Sequence, residues 1–102
     1  MIEQSPVEEF DAELNRVVTR LRTIALAKLP DIAAPVEQLT TELLRLCANF
    51  GDPAPPSLPS YELRASGYVV MVLATDARNA ARDDQQVQEI TAALTAARRA
   101  LP

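Results

Sequence analysis

Apolar residues recur at intervals of three and four along most of this chain, a period that gathers side chains into one stripe only on a helix. Val7, Phe10, Leu14, Val17, Leu21 and Ile24 form the first stripe, widened by Val18 and Ala25. Val36, Leu39, Leu43, Leu46 and Phe50 form a second, flanked by Leu44 and Cys47, and Val87, Ile90, Leu94, Ala97 and Leu101 form another near the end. Each stripe follows a helix-start signal. Ser5-Pro6-Val7-Glu8 offers a cap, a proline at the first helical position and a capping-box glutamate. Pro35 opens the second stripe, and Asp83 with Gln86 three residues on opens the last. The first helix is expected to end at Pro30, whose ring disfavours helical geometry at Leu29, and the second at Gly51. The predicted helices lie near 6–29, 35–50 and 83–101, and the short link through Pro30 and Asp31 favours an antiparallel pairing of the first two.

Residues 60–81 admit two readings. As a helix, Tyr61, Ala65, Tyr68, Val69, Val72 and Leu73 share one broad side. Gly67 opposes that reading, at a cost of about 1 kcal/mol inside a helix, and so does the β-branched run from Tyr68 to Leu73. The alternative is a hairpin at 61–74, turning at Ser66-Gly67. A two-stranded hairpin alone is marginal, and a helix is the reading adopted. No Gly or Pro separates this segment from the last, so the two also read as one long helix. Residues 52–60 form a proline-rich connector with overlapping Pro-x-x-Pro patterns, read as a stiff spacer. The expected architecture is one all-α domain spanning 1–102: a four-helix bundle, or a helical hairpin plus a long helix, with an α+β fold as the alternative.

Composition then removes functions. The chain has no His, one Cys and two Gly among 102 residues. Without imidazole there is no Ser-His-Asp or Cys-His pair and no His-ligated metal. One cysteine makes no internal disulfide and no multi-cysteine zinc site, and two glycines are too few for a phosphate-cradling loop. Cys47 lies near a helix C-terminus, where a thiolate is disfavoured, and reads as a small buried hydrophobe. Acidic residues gather in first turns and Arg98-Arg99 in the last, complementing helix dipoles. Arg16 and Arg20, one turn apart, read as solvated surface rather than an anion clamp. No catalytic residue, cofactor site or metal ligand is assigned.

A formal charge of -4 and no basic run longer than two residues argue against nucleic acid as a partner. A helix-turn-helix across Leu29 to Leu44 is the weaker alternative. The first residues lack the pattern of a signal peptide, and no apolar run approaches the roughly 20 residues that span a bilayer. A cytoplasmic protein is expected, and nine Arg against one Lys points to a GC-rich bacterial origin.

A chain of this length buries only about two-thirds of its unfolded surface. With four aromatic residues and many alanines, each buried position contributes little apolar area. Shared burial with a second copy is the usual remedy. The reading is therefore a non-enzymatic protein-protein interaction or accessory module, homodimeric, with Tyr61, Tyr68, Val69, Met71 and Val72 as candidate interface residues. The alternative is a small-molecule-binding regulator with an apolar pocket between helices and a hydroxyl from Tyr61 or Tyr68.

Overall fold

Helix α1 (Pro6–Thr23) begins where its cap places it: the Ser5 hydroxyl accepts a hydrogen bond from the Glu8 amide at 3.1 Å. It stops at Thr23, whose hydroxyl donates back to the Thr19 carbonyl at 2.9 Å, and Ile24 is already extended. The sequence-based boundary at residue 29 is thus too long. Residues 25–28 are exposed, so further helix would have gained no burial to stabilise it. A single 3-10 turn at Leu26–Lys28 leads into α2 (Leu29–Asn49).

Helix α2 starts six residues before the expected Pro35, which lies inside it. Pro30 takes an N-terminal position where no backbone donor is needed. Pro35 removes one intrahelical bond, at a cost of about 3 kcal/mol. The earlier start buries Ile32 and keeps it in register with buried Val36, Leu39 and Leu43. Full burial of Ile and Val side chains contributes about 1.5–3 kcal/mol each, enough to offset the proline. A continuous α2 also leaves no turn for a helix-turn-helix across Leu29 to Leu44. It ends as expected: Gly51 adopts φ 98°, its amide donates to the Ala48 carbonyl and the Asp52 amide to that of Cys47. This is a Schellman closure, which needs the left-handed residue that glycine supplies.

The computed structural model describes residues 4–52 and 58–102, so the Pro53–Pro56 pattern and most of the connector lie outside the described residues. Beyond it, a 3-10 turn at Leu63–Ala65 leads into α3 (Ser66–Ala80), shorter than the expected 60–81. No strand occurs among the described residues, so the hairpin at 61–74 does not form. Ala81 is extended, and α4 (Asp84–Ala100) starts afresh. The Asp83 carboxylate accepts from the Gln86 amide at 2.8 Å, while the Gln86 side chain accepts from the Arg82 amide at 2.6 Å. These two reciprocal bonds make the break, and they rule out one long helix.

The four helices pack as a slab of 39 × 38 × 17 Å, a thickness of two helix layers. Helices α1 and α2 each lie on both α3 and α4, α1 most extensively on α4 and α2 on α3. The expected antiparallel contact between α1 and α2 is replaced by these cross-layer contacts. The extended step at Ile24-Ala25 carries the chain away, and α3 closes on α1 instead. Gly67 permits that approach. A Cβ there meets the Arg22 Cγ at 3.2 Å, the Val18 carbonyl oxygen at 3.6 Å and the Leu21 Cβ at 3.7 Å. Arg22 is exposed and can swing aside, so Gly67→Ala is expected to leave stability nearly unchanged. Gly67→Leu pushes into α1 and is expected to cost about 1–2 kcal/mol, read from urea unfolding midpoints.

Candidate functional site

Helix α3 has two unlike sides. Ser66, Gly67, Val70, Ala74 and Ala77 are buried against the other helices. The opposite side carries Tyr68, Val72, Thr75, Asp76 and Asn79, all exposed. Tyr68 is 62% exposed and Val72 38%, and they stand one turn apart. Leu26, 72% exposed, follows α1 at the end where Arg22 meets Gly67. These are the large exposed apolar side chains among the described residues.

The five candidate interface residues are therefore not one patch. Tyr68 and Val72 form its centre, and Val69 and Met71 flank it half-buried. Tyr61 belongs elsewhere: it packs against the core and lines a groove of about 830 Å³ between α2 and residues 58–63. Val36, Thr40, Leu44 and Leu63 supply the groove's walls, and Glu37 and Arg45 its charged edge.

One polar site is absent from the sequence reading. Glu13 is 4% exposed, held between α1 and α4. Arg98 Nε donates to one carboxylate oxygen at 2.5 Å and Arg16 Nη1 to the other at 2.8 Å. Burial raises the Glu13 pKa more than any other single influence, but the bonds from Arg98, Arg16 and Thr95 together hold it below the ordinary value. The signal in the sequence is its position. Glu13 lies three residues from Phe10 and four from Val17, inside the buried stripe and not beside it. Arg20, for its part, donates to the Pro102 carbonyl, tying the end of the chain to α1.

Cys47 is buried, and its thiol donates to Asp52 Oδ2 at 3.5 Å. Burial first, then the carboxylates of Asp52 and Asp76, push its pKa up and keep it protonated. Among the described residues no three His, Cys, Asp or Glu stand together as a metal-binding group, and no helix is long and apolar enough to cross a membrane.

The fold and this surface define a class: a small all-α, four-helix protein that exposes Tyr68 and Val72 one turn apart on α3. Compared with known proteins, the chain matches no family model, no curated protein and no solved structure.

Proposed function

We propose that this protein is a non-catalytic interaction module that works by associating with protein, first of all with its own second copy. One observation carries the reading. Tyr68 and Val72 expose their side chains on a single turn-spaced stripe of α3, while the opposite side of that helix is fully packed. Leaving such a stripe in water forgoes apolar burial worth about 25 cal/mol per Å², and a second copy is the cover nearest at hand. The acidic chain, with a formal charge of -4, also argues for a protein rather than a nucleic-acid partner. A cytoplasmic location and a bacterial origin belong to the same proposal.

The test is Val72→Asp. Val72 is a better probe than Val69, which is half-buried and tests folding as well as association. The unaltered protein is expected to sediment as a concentration-dependent dimer, and the variant as a folded monomer with an unchanged circular dichroism spectrum. A wild-type protein that remains monomeric throughout the micromolar range overturns the reading.

The groove beside Tyr61 favours a second reading, a small-molecule-binding regulator. Its volume is in the range of ligand pockets, and its walls combine apolar side chains with the Thr40, Thr41 and Tyr61 hydroxyls. Native mass spectrometry of the purified protein separates the two readings, because it reports subunit number and any bound small mass together.

A further inference from the structure

Building on the self-association proposed above, we infer that two copies pair through α3 in antiparallel fashion, about a two-fold axis passing beside Val72. Arg64 and Tyr68 of each then face Asp76 of the partner subunit. The charge pattern of the exposed side selects the direction. Arg64 stands before the N-terminal end of α3 and Asp76 near its C-terminal end, with the apolar residues between them. A parallel pair sets arginine against arginine and aspartate against aspartate, whereas an antiparallel pair sets opposite charges together.

Position along the helix follows from spacing. Tyr68 and Asp76 lie four residues to either side of Val72, each about 6 Å from it along the axis. An axis at Val72 therefore brings the Tyr68 hydroxyl opposite Asp76 of the partner subunit. Arg64, roughly one turn farther out, reaches the same carboxylate with its long side chain. Both groups are free to do so. Asp76 has no ion pair among the described residues. Arg64 holds only the solvent-exposed Glu62, at 3.3 Å, and exposed pairs of that kind contribute little. One helix pair covers less than the roughly 800 Å² per subunit of a standard interface, so association in the micromolar range is expected.

The geometry is tested by cross-linking. Facing helices whose axes lie about 8–10 Å apart place Cα atoms beside a two-fold axis about 3.5–5.5 Å apart, overlapping the range a disulfide spans. In a Cys47→Ser background, Val72→Cys is expected to oxidise to a covalent dimer in most chains. Gln85→Cys, exposed in the first turn of α4 and outside the proposed pairing, is expected to remain monomeric. Asp76→Arg is expected to weaken the non-covalent dimer at least tenfold, and adding Arg64→Asp to restore it. If wild type dimerises but Val72→Cys cross-links no better than Gln85→Cys, or the charge swap fails to restore association, the pairing is overturned while self-association stands. If wild type does not dimerise at all, self-association and the pairing fall together.

Discussion

Phe10→Ala is expected to destabilise the protein by about 3–5 kcal/mol, a large share of the 5–15 kcal/mol typical of a domain this size. The ring is 2% exposed in the first turns of α1, in a core otherwise built mainly from Val, Leu, Ile and Ala. Phe10 is among the largest fully buried side chains of the described residues, so its truncation opens one of the largest spaces a single substitution can leave in this core. The Arg78 guanidinium also lies over the ring, 5.9 Å from its centroid, and its buried Nε has no hydrogen-bond partner among the described residues. Phe10→Leu keeps most of the volume and is expected to cost about 1 kcal/mol. Urea unfolding followed by circular dichroism, with an unchanged denaturant slope, separates the two variants. A loss under 1 kcal/mol in Phe10→Ala removes the ring from its assigned role.

Arg98→Met is expected to cost about 2 kcal/mol at neutral pH, less than the roughly 3–5 kcal/mol of breaking a fully buried pair, because Arg98 is part-exposed and Arg16 still holds Glu13. The two partners are not equivalent. Arg98 is 38% exposed in its side chain and is free to turn to water, whereas the Glu13 side chain, 5% exposed, is not. Losing Arg98 leaves the buried carboxylate held by Arg16 and Thr95 alone, and losing Glu13 strands nothing comparable. The double variant Glu13→Leu, Arg98→Met is therefore expected to recover much of the loss.

The same pair sets an acid limit. In the folded protein Glu13 titrates below its ordinary 4.5, so its stabilising contribution is present above that pH and is lost as pH falls through the folded value. In Arg98→Met, burial acts against Arg16 and Thr95 alone, and protonating Glu13 relieves a buried charge that has lost one of its two arginines. The stability gap between wild type and variant is thus expected to narrow below pH 4.5. A gap that stays constant down to pH 3 would falsify the assignment.

Much of this architecture is legible residue by residue. Ser5, Gly51 and Asp83 mark a start, a stop and a restart through bonds made within a few residues of themselves. Even the early start of α2 is written in the spacing of Ile32, Val36, Leu39 and Leu43, although two prolines point to a later one. Gly67 reads as a turn residue on propensity and proves to be a contact point, because the reason for it stands on α1. The candidate interface is legible in composition but not in placement. Tyr61 and Tyr68 share a helical side only if the helix begins before residue 61, and it begins at Ser66.

By itself the sequence determined that the chain is helical, where most helices are capped, and which familiar catalytic groups are missing, since these depend on residue identity and short-range bonds. Tertiary structure decided where α1 stops, which helices are neighbours, that Glu13 is buried between two arginines, and which side of α3 meets water. Those outcomes depend on which distant residues remove a surface from solvent, and local spacing carries no record of that.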